Sequence, residues 1–585
     1  MTTSTVSVMN RIPAHLRPFV VEQDYSRYTP VNQAVWRYVL RQNSAYLSEK
    51  GYGSYRDGLA FAGMSVERIP DVEEMNATLA QHGWGAVAID GFIPSVTFFD
   101  FQAHGLLPIS GDIRLLHHIA YTPAPDIIHE SAGHAPMLVH SAYGEFLRRF
   151  GKIGAKALSS KQDVAVYEAM RLVSILKEDP AATPEQLDEA QRNLDLQLAA
   201  KTEESEETLI SRLYWWTVEY GLIGTLNDPK LYGAGLLSSM GESRSCLLPP
   251  VERVPFSLEA VLATDFDITK PQPQLFVCQD FDQLIEAVER YADSMSFRVG
   301  GTSSLQKAVN SGSTATAVYS SGLQVSGVFT TLVLDDAGEA VYLKTTGPTA
   351  LAVADCELPG QGIEYHGEGF GSPIGLLRDT ETPLEQMTDA ALRERGLVTG
   401  QWAELEFASG VQVQGLVKYV QREDGQIVLI GFEDCTVELG EQVLFAAEWG
   451  TFDMAVGQRI TSVFAGAADS ERFHTTLAYK PSETQTARPT YSEQERLVHG
   501  LYQEVRELRE SHPTLGRVET GVRSLLMRIA LHAIPDWLLR VEILELLVAH
   551  RALPDVQIQV RAELSDLAQA RPEWKELIDN GLKLV

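Results

Sequence analysis

Pro125-Asp126-Ile127-Ile128-His129-Glu130-Ser131-Ala132-Gly133-His134 sets two histidines and two carboxylates within ten residues that read as a helix. The histidines stand at i and i+5. On a regular α-helix, at about 100° per residue, that spacing turns them roughly 140° apart. One of them must lie at a helix end, or the helix must loosen locally, which Gly133 would ease. A zinc metalloprotease places its pair at i and i+4, on one helix face. The present spacing departs from that pattern by one residue.

Downstream comes Trp215-Trp216-Thr217-Val218-Glu219-Tyr220-Gly221, an aromatic helical run holding one acid. Tyr214, Trp215, Trp216, Val218 and Tyr220 surround Glu219 with apolar side chains, and burying a carboxylate there is costly without a cationic partner. Two imidazoles and one remote carboxylate form the ligand set of a non-haem Fe(II) site with open coordination positions. A ferrous ion held by His129, His134 and Glu219 is therefore expected, with a zinc-dependent hydrolase as the alternative from another class.

The 585 residues are enough for three or four domains, and at 44% hydrophobic and 22% charged each can bury a core. The formal net charge of −30 opposes binding to phosphate backbones and to anionic membranes. Cys246, Cys278, Cys356 and Cys435 form no close pair, which fits a reducing compartment rather than a disulfide framework. The first residues lack the apolar core of a signal peptide, and no apolar run reaches spanning length. A cytoplasmic protein with neither nucleic-acid nor membrane partners is expected.

Three regions follow along the chain. Residues 1–300 read as mainly α, with apolar periods over 28–49, 72–81 and 143–158. Residues 161–213 are polar and periodic, and Glu203, Glu204, Glu206 and Glu207 read as a solvated face. Residues 301–479 switch to alternating Gly-, Ser-, Thr- and Val-rich text. There Ser321-Gly-Leu-Gln-Val-Ser-Gly327 resembles Ser409-Gly-Val-Gln-Val-Gln-Gly415, and each is followed by a strand, a Gly turn, a second strand and an Asp-Cys pair. This predicts a duplicated antiparallel β unit. After a Pro-punctuated linker, Ser492-x-x-Glu495 is a capping box. It opens a helical bundle over 490–585, with Pro513, Pro535 and Pro554 at the breaks. The bundle is expected to act as a partner-binding module or to join copies into a homo-oligomer.

The chain resembles the pterin-dependent aromatic amino acid hydroxylases, in particular the bacterial phenylalanine 4-monooxygenases. Three separated blocks carry the resemblance in order: Tyr121 to Pro136, Trp215 to Gly221, and Tyr232-Gly-Ala-Gly-Leu-Leu-Ser-Ser-Met-Gly-Glu242. It covers residues 25 to 300. It implies that His129, His134 and Glu219 bind Fe(II), and that a tetrahydropterin cosubstrate and O2 complete the chemistry on an aromatic L-amino acid. It further implies that Arg114 pairs with the substrate carboxylate and that Asp126 orients Arg114. Thr122, Pro125, Trp215, Tyr220 and Ser238 would line the amino-acid pocket.

For the pterin, the resemblance points to Gly91, Ile93 and Ser95 at the ring edge and Phe98 stacked on its face. Glu130 would face it from beside the metal, and Ser211 would line the same side. The Phe-rich segment around Phe98 reads equally as a core strand. Ile268 falls near the substrate ring, where an apolar side chain argues against a tyrosine specialist. Trp215 favours phenylalanine, with tryptophan hydroxylation as the alternative. The 85 residues between His134 and Glu219 are more than the family usually has. The surplus is expected to form an excursion outside the site. No N-terminal regulatory domain is expected ahead of the catalytic region.

Overall fold

The computed structural model describes residues 11–89, 93–120, 125–178, 182–268, 270–476, 491–511 and 513–585. Helix α1 (Pro30–Lys50) opens with a capping box between Thr29 and Asn32, with Pro30 in its first turn. Val35, Trp36, Val39 and Leu40 are wholly buried, and so are Gln33, Arg37 and Asn43. A helix buried on its polar positions too must be covered on more than one side. The catalytic region packs on one side of α1 and the C-terminal helices on another.

The strands Gly85–Ile89 and Leu106–Ser110 pair in parallel and are buried along their length. Helix α2 (Ser95–Ala103) connects them. The segment that also read as a core strand is thus a helix, the usual crossover between parallel strands. Helices α3 (Lys161–Glu178) and α4 (Pro184–Ala200) form a hairpin. Its small core of Val166, Ala169, Val173, Ala190 and Leu194 is separate from the main one. Helix α5 (Glu206–Tyr214) runs directly into Trp215–Glu219.

The β region holds two sheets of matching order. In the first, β1 (Thr314–Tyr319), β2 (Leu323–Leu334), β3 (Ala340–Val353) and β4 (Cys356–Glu357) form an antiparallel meander, and β5 (Gly371–Pro373) also pairs with β3. In the second, β6 (Trp402–Glu406), β7 (Val411–Glu423), β8 (Gln426–Leu439) and β9 (Gln442–Phe445) repeat that order, and β10 (Phe452–Ala455) also pairs with β8. The likeness extends to irregularities. Both long hairpins shift register at the matching glycine, between Ser326 and Val328 and between Gln414 and Leu416. The residues before the paired cysteines, Asp355 and Asp434, both take left-handed φ values of 60° and 48°. The first sheet is completed by β11 (Ile460–Ala465), which returns to pair with β1.

The last region contains α6 (Glu493–Glu510), α7 (Leu515–Leu531), α8 (Trp537–Ala549), α9 (Pro554–Ala570) and α10 (Pro572–Lys583). The Ser492–Glu495 capping box forms as read. Helix α8 is apolar nearly all round, so it must be enclosed. It lies within the same core cluster as α1, and Tyr38 packs edge-on against Trp537 at 5.1 Å. The C-terminal helices therefore share a core with residues of the first region.

Arg37 and Glu542 pair across this junction, Nη2 to Oε2 at 2.6 Å and Nε to Oε1 at 3.0 Å, with side chains only 1% and 2% exposed. Burial alone would lift the Glu542 carboxyl. Arg37, then Arg509, overcome that and hold it below the usual carboxylate range. Arg41 bonds Glu545 beside the pair, and Arg509 reaches both acids.

Removing one partner of a buried ion pair strands the other charge, which costs about 3–5 kcal/mol. Glu542→Gln should lower the unfolding free energy by about that amount in a denaturant titration; a loss under about 1 kcal/mol would show the junction to be dispensable. Because the folded state depresses the Glu542 pKa, this stabilisation is present at neutral pH. It is lost as the pH falls through the carboxylate range toward the depressed value.

Candidate active site

The spacing of the two histidines is resolved by the backbone. Ile128–His134 is a turn of π-helix, whose hydrogen bonds close from i to i+5. Residues five apart, His129 and His134, thus come onto one face. Trp215–Glu219 is a second π-turn, ending on the third expected ligand. Such turns are rare and concentrate at functional sites.

Glu219 bridges the two imidazoles. Its Oε2 lies 3.2 Å from His129 Nε2 and its Oε1 3.2 Å from His134 Nε2. The rings are perpendicular, with centroids 5.2 Å apart. His134 is 1% exposed, and neither of its ring nitrogens has a hydrogen bond of acceptable geometry. Leaving a buried polar atom unpaired is costly, and a cation supplies the missing partner. Donors bound at about 2.1 Å to one ion, at right angles, stand about 3 Å apart, so the cluster fits a divalent metal. The donor set, two nitrogens and a carboxylate, suits iron(II).

Glu130 is the neighbouring candidate ligand. His129, Glu130 and His134 also bring three ligand atoms within 4.8 Å of one another. Its carboxylate stands farther off, 3.9 Å from His134 Nε2. Burial raises the Glu130 pKa. In Glu219 burial is overcome by His129 and His134, which hold it well below the usual range. The two histidines therefore favour the charged carboxylate more strongly at Glu219 than at Glu130. His129 is held up at about 9, because Glu219 outweighs the opposing effect of burial.

A chain of contacts orients His129. The Ser238 hydroxyl donates to the Ala234 carbonyl at 2.8 Å, so it accepts from His129 Nδ1 at 3.1 Å. This leaves Nε2 facing Glu219. The short helix Ala234–Ser238 reaches this position because Gly133 has no side chain; a Cβ there would stand 2.7 Å from the Ala234 oxygen.

Asp126 performs two tasks. Its Oδ1 accepts from the His129 amide at 3.0 Å and from Arg114 Nη2 at 2.8 Å. Its Oδ2 accepts from Arg114 Nε and from the Arg114 amide, at 2.8 and 2.9 Å. Burial of Asp126 is overcome by Arg114, which lowers its pKa. One edge of the guanidinium is spent on Asp126, and Arg114 lines the cavity in front of the metal ligands.

That cavity, about 1210 Å³, gathers most of the expected site residues. Ile93, Ser95, Phe98, Arg114, Pro125, His129, Glu130, Ser211, Trp215, Glu219, Tyr220, Ser238 and Ile268 all line it. Asp126 and His134 are buried at its back. Gly91 and Thr122 lie outside the described residues. Trp215 stacks on Phe266 at 4.5 Å and meets Tyr220 at 4.7 Å, forming one aromatic wall.

Two expectations are corrected here. The α3–α4 hairpin does not stand outside the site: Val166, Met170, Ser174, Leu194 and Leu198 line the same cavity. The acidic run is not a solvated face throughout. Glu206 is buried, accepting from Ser296 N at 2.8 Å and from Leu158 N at 3.3 Å. Glu207 lines the cavity, where burial lifts its carboxyl to about 7. Sequence reasoning also missed Glu242, which lies in the third quoted block. Its Oε2 accepts from Tyr220 at 2.9 Å and its Oε1 from the Gln272 amide at 3.1 Å, fixing the aromatic wall.

A methyl group at Gly133 must push Ala234 back and loosen the Ser238–His129 contact. Losing such support for a ligand typically weakens metal binding 10- to 100-fold. Gly133→Ala should bind iron(II) at least about tenfold more weakly than the parent in a competition titration; equal affinity would contradict the contact chain.

Comparison with known proteins identifies the family of the first half of the chain. The family model for the biopterin-dependent aromatic amino acid hydroxylases matches residues 22–172 and 180–302. The phenylalanine-4-hydroxylase of Mesorhizobium japonicum is 30% identical over 274 residues, which are 46% of this chain and 83% of that protein. The phenylalanine-4-hydroxylase of Chromobacterium violaceum is 29% identical over 271 residues, 46% of this chain and 76% of that protein. A crystal structure of the latter with iron(III) and 7,8-dihydrobiopterin bound shows 27% identity, covers 47% of this chain and 86% of that one, and has a TM-score of 0.38. Over residues 22–302 the chain belongs to the biopterin-dependent aromatic amino acid hydroxylases, and it is a pterin-dependent monooxygenase.

Proposed function

We propose that the protein hydroxylates L-phenylalanine to L-tyrosine with O2, using iron(II) held by His129, His134 and Glu219 and a tetrahydropterin cosubstrate. The observation that carries this reading is the pair of π-turns that brings the three ligands together beside one cavity. Bound iron and reduced pterin supply the oxygen activation; the remaining groups bind and orient. The named relatives are phenylalanine-4-hydroxylases, and that supports the choice of substrate.

Arg114 offers the substrate carboxylate the Nη hydrogens that Asp126 and the Ser238 carbonyl leave free. The aromatic ring lies against Pro125 and the Trp215 wall, with Ile268 apolar beside it. A phenol hydroxyl or indole N–H at Ile268 would lose its partner, which favours phenylalanine over tyrosine or tryptophan. Phe98, Ser95, Ser211 and Glu130 line the cavity and would hold the pterin, Phe98 by its ring face and the others by their polar groups. For the C-terminal helices we infer a scaffolding role within the chain, because α6, α8 and α10 all pack against α1 and share its core.

Purified protein with iron(II), tetrahydropterin and phenylalanine should release tyrosine, and phenylalanine should give the highest kcat/KM of the three aromatic amino acids. Turnover of none of them would overturn the reading, and a preference for tryptophan would reassign the substrate. Arg114→Ala should raise KM for phenylalanine by at least tenfold, the cost of a lost charged pair; an unchanged KM would remove Arg114 from substrate binding.

A further inference from the structure

The cavity is larger than the range of about 300–1,000 Å³ usual for small-molecule sites. Its outer part is bounded by the α3–α4 hairpin, which occupies the long interval between His134 and Glu219. Along α5 and the turn that follows it, Glu207, Ser211 and Trp215 recur every four residues and share the face that lines the cavity. Moving outward from Glu219, that face presents Trp215, then Ser211, then Glu207. Ser95 and Phe98 line the cavity from α2, and Ser95 acts on the Glu207 carboxyl. Lys201, the cation that also acts on Glu207, is held by Asp163 at 2.7 Å. Asp163 is in turn bonded by Ser160 and Thr208, so this ion pair is closed upon itself.

We propose that Glu207 is a cosubstrate-binding residue, accepting hydrogen bonds from the N–H or O–H donors at the end of the reduced pterin that faces away from the metal. This rests on the pterin-dependent reading above. A pterin held by Phe98 with its reacting carbon toward the iron ligands would send one of its ends outward along α5. Either end carries donors: the amino group and ring N–H of the pyrimidine end, or the hydroxyls of a C6 side chain at the pyrazine end. Glu207 stands one helical turn, about 5.4 Å, beyond Ser211. A carboxyl group accepts such donors, where a lysine or arginine would repel them. The hairpin wall keeps water from competing, which strengthens the bond. The bland alternative is that Glu207 only complements the α5 dipole, since it lies in the first turn.

Anaerobic calorimetry on the full, iron(II)-loaded chain separates the two. Binding of tetrahydrobiopterin, 6-methyltetrahydropterin and phenylalanine is measured for the parent, Glu207→Ala, Glu207→Gln and the surface control Glu189→Ala. Glu207→Ala should weaken pterin binding about tenfold, the equivalent of one charge-assisted hydrogen bond. Glu207→Gln, which keeps an acceptor oxygen, should lose less. The control and all phenylalanine affinities should stay within twofold.

A loss confined to tetrahydrobiopterin assigns the bond to the side-chain hydroxyls, and a loss with both pterins assigns it to the ring donors. Equal pterin affinity in parent and both Glu207 variants overturns the proposal, as does a parallel loss of phenylalanine affinity. A parent that binds no pterin while retaining iron instead overturns the pterin-dependent reading itself.

Discussion

The Ala234 carbonyl occupies the space that a side chain at residue 133 would fill, and the active site is arranged around that close approach. Through it, the short helix Ala234–Ser238 docks against the π-turn, and Ser238 sets the orientation of His129. Just ahead of the same π-turn stands Asp126, which caps the His129 amide and grips Arg114. His129 and Arg114 are therefore positioned by one carboxylate. Nothing in this arrangement tolerates a regular α-helix, because at about 100° per residue His134 would rotate off the shared face.

The surrounding structure makes that strained local geometry affordable. A π-turn forfeits regular helix packing, so its neighbours must over-determine it. Ile127, Ile128 and Ala132 are wholly buried around it. Behind them α1 is clamped from the far side by α8, with the Arg37–Glu542 pair fixing the register. On the open side, the α3–α4 hairpin walls the cavity rather than leaving it to solvent. A hairpin with its own small core can serve as such a wall, because its folding does not compete with the main core.

The legible parts of this molecule are those whose physics is local. The histidine spacing announced an irregular helix, and a π-turn is the irregularity that spacing five demands. Glu219 was recognisable because an acid among Tyr214, Trp215, Trp216 and Tyr220 needs a cation. The β duplication was written in paired Gly and Asp positions, whose backbone demands recur in both sheets. The Ser492 capping box likewise depends on four adjacent residues.

What was not legible depends on long-range packing. Residues 161–200 carry an ordinary amphipathic pattern, and periodicity does not tell which surface such a hairpin covers. The Glu206 and Glu207 pair reads as one charged surface, yet adjacent helical residues point about 100° apart. One is buried against Ser296 and the other turned to the cavity. The apolar sequence of α8 required burial, but not that α1 should provide it. The Phe98 segment misled because aromatic residues suit strand and helix alike; the parallel pairing on either side decided it.

The proposed iron(II) site is built from His129, His134 and Glu219, and not from Glu130. Anomalous diffraction from crystals soaked in iron(II) tests it most directly. The predicted result is one peak within about 2.2 Å of both histidine Nε2 atoms and a Glu219 oxygen, with the Ile128–His134 π-turn intact. A peak coordinated by Glu130 in place of Glu219, or a turn rewound to a regular α-helix, would contradict it.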